Sequence, residues 1–175
     1  MQRAEKVRKD DAGGSSGSKL GEEDVKFNAC VVQRRLSATD CHRVHSPVTG
    51  RLKRVVWLGK TLYGCTAPAV HSAVDVYGDS ERAVLEFDTP TFGTVMFCII
   101  GATEVGSINR NIKEGDHVTN GQNVSYYQYG GSMVTTLLHH KSIILDEDLR
   151  RNSANNKETR VKMGQSLGSA RNSKH

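Results

Sequence analysis

Long apolar runs and aromatic residues are scarce in this chain of 175 residues. The longest apolar run, residues 95–102, is far shorter than the roughly 20 residues of a membrane-spanning helix. It predicts a buried strand, and no membrane-spanning helix is expected. The opening "MQRAEKVRKDDAGGSSGSKLGEED" has charge but no apolar centre, so we expect no secretory signal peptide.

Cysteine and aromatic patterns exclude two further classes. Cys30, Cys41, Cys65 and Cys98 contain no C-x-x-C pair and no framework of a small secreted disulfide protein, so reduced thiols are expected. Trp57 is the only aromatic residue among the basic residues described below, which argues against a single-stranded nucleic-acid platform. We therefore expect no nucleic-acid partner.

Positive charge is concentrated in one part of the chain. The net charge is +5, and between positions 34 and 60 only Asp40 opposes the basic residues, which are Arg34, Arg35, Arg43, Arg51, Lys53, Arg54 and Lys60. Such a segment attracts phosphates, including those of an anionic lipid surface. A solvated strand face explains the pattern equally well.

The hydrophobic pattern predicts a mainly β (α+β) fold, a barrel-like or sandwich β domain with short helical inserts. Residues 1–23 are polar and Gly/Ser-rich, which predicts a disordered N-terminal segment. Residues 24–168 form the domain, and residues 169–175 a disordered tail. Within the domain, "SATDCHRVHS" is compatible with a helical turn and "RRNSANNKETR" with an exposed loop.

Two short motifs carry candidate chemistry. In "DCHRVHSPVTG", His42 and His45 are three residues apart, so a helical turn would place both rings on one side. The pair could handle protons at neutral pH, begin a zinc site that still needs further ligands, or be structural. In "YGGSMV", Ser132 follows two glycines on backbone that could admit close approach, although Gly-Gly-Ser is also ordinary turn chemistry.

Five blocks follow one another in the chain: "RLSATDCHRVHSPVTGRL", "ERAVLEF", "FGTVMFCIIGATEVGSI", "KEGDHVTNGQNVSYYQYGGSMV" and "VKMGQSLG". In this order they resemble the C-terminal two-thirds of the pyruvoyl-dependent phosphatidylserine decarboxylase family, and the similarity covers roughly residues 25–168. The resemblance implies self-cleavage between Gly131 and Ser132, with His45 as the base. It implies that Ser132 becomes the pyruvoyl cofactor and that His42 assists decarboxylation.

The resemblance also implies partners and a location. The substrate would be phosphatidylserine, converted to phosphatidylethanolamine and CO2 in phospholipid biosynthesis. The cleaved α and β fragments would stay together, and a homodimer is left open. We expect a peripheral protein on an anionic membrane surface, at the mitochondrial inner membrane or an endomembrane.

Two departures from the family pattern matter for activity. Met133 follows the serine where the family usually has threonine, and no Pro-x-Asp-Gly segment supplies the aspartate that would orient the histidine. A sequence lacking its N-terminal third, an aspartate from another chain, or a divergent protein would each explain the second departure; the first is the preferred explanation. The alternative function is a truncated or degenerate homologue that acts as a lipid-binding or regulatory module.

Overall fold

Antiparallel strands form most of the structure, a computed structural model that describes residues 2–5, 28–37, 39–64, 67–70, 72–101, 107–128 and 133–171. The strands in these ranges are β1 Gln2–Glu5, β2 Ala29–Leu36, β3 Arg43–His45, β4 Gly50–Leu58, β5 Arg82–Thr89, β6 Gly93–Ile100, β7 Ile108–Arg110, β8 His117–Val118, β9 Asn123–Tyr127, β10 Met133–His139, β11 Ile143–Leu145, β12 Thr159–Val161 and β13 Gly168–Ala170. The helices are α1 Ala67–Val70, α2 Val76–Asp79 and α3 Glu147–Ala154. The predicted mainly β fold with short helices is confirmed.

The strands form one large and two small sheets. The large sheet has the order β12-β1-β2-β10-β6-β5-β4-β8, and a three-stranded sheet has the order β3-β9-β7. The main core joins buried side chains of both, for example Phe87 and Phe97 from the large sheet and Val44 and Val124 from the small one. Strands β11 and β13 form a separate pair.

Strand β10 lies at the centre of this arrangement, between β2 and β6. It has core contacts on both faces: Val134 and Leu138 belong to the main core, and Met133 packs in a second cluster with Cys98 and Ile100. A strand buried on both sides is apolar without alternation, as "MVTTLLH" nearly is. The start of β10 is therefore held firmly within the sheet.

Short strands lie within both terminal segments that the sequence predicts to be disordered. Gln2–Glu5 pairs with β2 and β12. Backbone hydrogen bonding to neighbouring strands needs no apolar composition, which is why composition did not indicate this strand. The predicted tail overlaps β13, which pairs with β11. The other residues of 1–23, and residues 172–175, lie outside the described residues.

Two internal predictions were wrong. The segment with both histidines is not a helical turn, because Arg43–His45 is a strand paired with β9. The predicted loop "RRNSANNKETR" contains the end of helix α3, whose Leu149 packs against Val161 of β12. In both cases contacts with residues distant in the chain decide the local conformation. Cys30, Cys41 and Cys98 are free thiols, as expected.

Candidate functional site

A cavity of about 400 Å³ opens beside β2 and β10, on the face that carries β3. Its lining is mostly aliphatic or aromatic, with Arg34, His45 and several neutral polar groups, and contains no aspartate or glutamate among the described residues. The lining residues are Val32, Arg34, Leu36, Val44, His45, Ser46, Pro47, Val48, Phe92, Phe97, Asn120, Gly121, Val134, Thr136, Leu138, Ile143, Met163, Gly164, Gln165, Ser166, Leu167 and Gly168. Its volume and apolar lining are typical of a small-molecule site.

His45 reaches this cavity because its strand pairs irregularly. The register of β3 with β9 shifts between Val44 and His45, since these residues pair with Ser125 and Asn123 and leave Val124 as an extra residue. Successive residues of a regular strand point to opposite faces, yet Val44 and His45 both line the cavity. A β-bulge commonly redirects a side chain next to an active site.

The chain after His45 is held in place by backbone hydrogen bonds. The amide of Ser46 donates to the carbonyl oxygen of Gln122 at 2.8 Å, and the amide of Gly121 donates to the carbonyl oxygen of Ser46 at 2.9 Å. The Ser46 hydroxyl donates to the carbonyl oxygen of Val48 at 2.7 Å. These contacts fix the position of the His45 backbone at the cavity wall.

His42 lies next to the start of β10, linked to it through Tyr127. The rings of His42 and Tyr127 meet edge to face with centroids 6.3 Å apart. The buried Tyr127 hydroxyl is 2.9 Å from the carbonyl oxygen of Met133 and 3.0 Å from that of Ile100. One aromatic ring therefore separates His42 from the first residue of β10.

Both histidines have a buried ring nitrogen without a hydrogen-bond partner. These atoms are Nε2 of His42 and Nδ1 of His45. Buried polar atoms are nearly always hydrogen-bonded, so such exceptions call for an explanation. A reacting group or a substrate at the site would supply the missing partners.

Arg34 was missed as a site residue. The sequence analysis placed it in a surface basic segment, but its side chain is only 9% exposed and lines the cavity. Nη2 donates to Thr136 Oγ1 at 2.9 Å, the guanidinium carbon lies 5.5 Å from the centroid of the Phe97 ring, and Nε has no partner. Burial lowers the pKa of Arg34 to about 10, although Tyr127 acts to raise it, so the group keeps its charge at neutral pH.

The other basic residues of that segment lie elsewhere. Arg35 faces away from the cavity and forms an ion pair with Glu158 at 2.7 Å, and Lys53 and Arg54 both pair with Glu86. Arg43 stacks over Tyr126. The segment is thus divided between internal partners and solvent.

Gly131 and Ser132 lie outside the described residues, so the predicted cleavage site remains a prediction. The described strand begins at Met133, directly after them in the chain. Val134, the second residue of β10, lines the same cavity as His45, whereas His42 is linked to the first residue of β10 through Tyr127.

The described ranges contain no group of three His, Cys, Asp or Glu side chains that could hold a metal ion. The same part of the chain contains no helix with the length and apolarity needed to cross a bilayer.

Among the described residues, a β framework carries a largely apolar cavity, two histidines with buried ring nitrogens and one buried arginine. Comparison with known sequences gives the family. The family profile described as "Phosphatidylserine decarboxylase" matches residues 9–169. The chain belongs to the phosphatidylserine decarboxylase family.

Curated relatives come from yeast, plants and bacteria. Phosphatidylserine decarboxylase proenzyme 2 of Saccharomyces cerevisiae is 38% identical over 79% of this chain and 12% of its own length. Phosphatidylserine decarboxylase proenzyme 2 of Oryza sativa subsp. japonica is 40% identical over 83% of this chain and 23% of its own length. The Chlamydia muridarum proenzyme is 34% identical over 77% of this chain and 44% of its own length. The chain thus spans less than half the length of these relatives. No solved structure matches it significantly.

Proposed function

We propose that this chain carries the self-processing, pyruvoyl-forming part of a phosphatidylserine decarboxylase. One observation carries the proposal: two histidines have unpartnered buried nitrogens, and His45 lines the cavity that also contains Val134, two residues after Ser132 in the chain. The family membership supplies the substrate, phosphatidylserine, and the products, phosphatidylethanolamine and CO2.

Self-cleavage needs a base next to the serine. His45 takes the hydroxyl proton as Ser132 Oγ attacks the carbonyl carbon of Gly131. The C–N bond between them breaks, the nitrogen gains a proton, and an ester joins the two residues. Loss of the Cα proton of residue 132 expels Gly131 as a carboxylate and leaves dehydroalanine. Its imine tautomer then adds water and releases ammonia, which leaves a pyruvoyl group.

The unpartnered Nε2 of His42 fits such a carbonyl group, to which it can donate a hydrogen bond when it carries the ring proton. The pyruvoyl group would supply a ketone that reacts with the substrate amine and accepts the electrons released with CO2. His42 holds the proton that the product carbon needs, and Tyr127 fixes the distance between His42 and β10. The aliphatic lining excludes water from the reacting atoms.

Contact with a membrane surface is part of the proposal. Val56, Trp57 and Leu58 at the end of β4 are exposed to between 36% and 45%, and the basic side chains of Lys53 and Arg54 lie on the same strand. Apolar side chains beside positive charge suit the interface of an anionic bilayer. Peripheral binding at the mitochondrial inner membrane or an endomembrane, association of the α and β fragments, and a homodimer stay predictions.

One observation favours the alternative, a degenerate homologue that binds lipid or regulates another enzyme. Nδ1 of His45 has no carboxylate partner among the described residues. In a catalytic triad, losing the orienting aspartate lowers the rate by about 10⁴-fold. Self-cleavage happens once per molecule, so a slow reaction still completes.

Mass spectrometry of the purified chain separates the two functions. The enzyme yields fragments of residues 1–131 and 132–175, that is, 131 and 44 residues. The smaller one is lighter by one ammonia than a peptide beginning with serine, and it resists Edman degradation. Ser132→Ala should abolish both cleavage and CO2 release, whereas the control Ser142→Ala, at a serine bonded to the His139 carbonyl oxygen, should change neither.

Two other outcomes would contradict the proposed function. An uncut chain that releases CO2 from phosphatidylserine would refute the mechanism. An uncut, inactive chain that binds anionic vesicles would establish the alternative.

A further inference from the structure

Arg34 occupies a position where a strand normally places an apolar side chain. The inward residues of β2 are Cys30, Val32, Arg34 and Leu36, and the last three line the cavity. Arg34 pairs across the sheet with Val134 of β10. A charged side chain in such a row is costly unless something compensates its charge.

The Phe97 ring, 5.5 Å from the guanidinium carbon, compensates this charge in part, but no carboxylate among the described residues pairs with it. Arg34 forms one hydrogen bond, to the neutral hydroxyl of Thr136, and no ion pair, and the cavity lining contains no carboxylate. A guanidinium has five N–H donors, so most of its donor capacity is unused within the described residues. Its neighbour Arg35, by contrast, has a bidentate carboxylate partner in Glu158. Arg34 therefore has no anionic partner among the described residues, and the cavity beside it has room for one.

We propose that Arg34 binds the phosphodiester group of the lipid substrate inside the cavity; this inference rests on the function proposed above. The fork of a guanidinium matches phosphate oxygens in a bidentate way. The aliphatic walls formed by Val32, Leu36, Leu138 and Leu167 suit the lipid portion that follows the phosphate.

The position along β10 agrees with the chemistry of the substrate. Val134 is two residues beyond Ser132, so their Cα atoms are at most about 7 Å apart. In phosphatidylserine, the phosphorus is four bonds from the amine that would react with the pyruvoyl group, and the carboxylate carbon is two bonds from it. Arg34, whose backbone pairs with that of Val134, is thus placed at a distance from the reacting amine that suits the phosphodiester better than the carboxylate.

Energetics also favour the phosphodiester over the carboxylate. A cation on the carboxylate would stabilise the charge that disappears during loss of CO2, so it would oppose the reaction. The phosphodiester keeps its charge throughout. Its contact with Arg34 therefore stabilises ground state and transition state alike, and losing it should raise KM without changing kcat.

Arg34→Met tests this with activity on dihexanoyl phosphatidylserine. KM should rise about 10- to 100-fold, equivalent to about 1.4 to 2.8 kcal/mol, with kcat unchanged. Arg34→Lys should give an intermediate KM, because an ammonium keeps the charge but loses the fork. The control Arg35→Met, on the opposite face of β2, should leave KM unchanged. A rise in kcat together with KM would assign Arg34 to the carboxylate, and a fall in kcat at constant KM would assign it to the chemical step; either result would overturn the proposal.

Binding and stability provide readouts without turnover. By calorimetry, the wild-type chain should bind dihexanoyl phosphatidylethanolamine more tightly than dihexanoylglycerol, and Arg34→Met should abolish the difference. Inorganic phosphate should compete weakly; tight phosphate binding through Arg34, with KM unchanged in Arg34→Met, would indicate a free-phosphate site and refute the proposal.

The midpoint of thermal unfolding should stay equal or rise in Arg34→Met, since the buried charge is removed. A lower midpoint with unchanged KM would show a structural role instead.

Cleavage separates this inference from the proposed function. Arg34→Met should cleave itself as the wild type does, because no phosphate takes part in that step. If neither chain cleaves, the proposed function fails, and the calorimetric comparison on the uncut chain still decides for or against a phosphodiester site.

Discussion

Replacing Tyr127 by phenylalanine tests how the site is positioned. The buried hydroxyl lies 2.9 Å from the Met133 carbonyl oxygen and 3.0 Å from that of Ile100. A hydroxyl has one proton, so it donates to one of these at a time. Tyr127→Phe leaves a buried carbonyl without this donor and should cost about 2 kcal/mol of unfolding free energy. For a chain of this size, that lowers the midpoint of thermal unfolding by about 4–8 °C.

The measurement should use the uncut chain, made by Ser132→Ala, so that unfolding involves a single polypeptide. Tyr126→Phe is the matched control, because the ring of this neighbouring residue stacks with Arg43 at 5.1 Å and its hydroxyl has no hydrogen bond within the described residues. In a background with Ser132 intact, Tyr127→Phe should also slow cleavage, since it loosens the start of β10. Equal midpoints for both variants and an unchanged cleavage rate would refute the positioning role.

The remaining predictions concern single side chains. His45→Ala should slow self-cleavage by about 10²- to 10⁴-fold, seen as uncut chain on a gel; cleavage at the wild-type rate would exclude it as the base. His42→Ala should cut normally but release CO2 poorly, and full activity would contradict its role. Hydrogen bonding by Arg54 lowers the pKa of Glu86, so Glu86→Gln should lose stability, by about 0.5–1 kcal/mol at pH 7. That difference should shrink as the pH falls below about 4, because the paired carboxylate then takes up its proton; a constant difference would contradict the pairing.

The sequence predicts the strands where local pattern decides the structure. The runs containing β4, β5, β6, β9 and β10 are rich in β-branched and aromatic residues between turn residues, and the structure has strands there. Local pattern fails where distant contacts decide. Helix α3 begins in an acidic first turn and packs Leu149 against β12, which the amide-rich sequence does not indicate.

The candidate site, too, is predictable from local sequence only in part. The family motif locates His42 and His45 from the sequence alone, but the irregular pairing that directs His45 into the cavity depends on β9, 78 residues further along for the His45–Asn123 pair. Arg34 looks like a surface residue in "VVQRRL" because burial follows from its pairing with Val134, a hundred positions away. The strand alternation from Val32 to Leu36 was the available signal for its inward position.

Buried polar atoms without a hydrogen-bond partner locate the candidate site of this protein better than the distribution of its charged residues does. Among the described residues, the buried side-chain atoms without a hydrogen-bond partner belong to Arg34, His42, His45 and Thr135. Each such atom costs about 1–3 kcal/mol, which a fold selected for stability alone would remove. Three of the four residues lie at the cavity or beside the start of β10, and Thr135 lies within β10 itself. The ion pairs of Arg35 and Glu86 show that this chain can pair its charges elsewhere, which supports the proposals that a ligand binds Arg34 and that a reacting group meets the histidines.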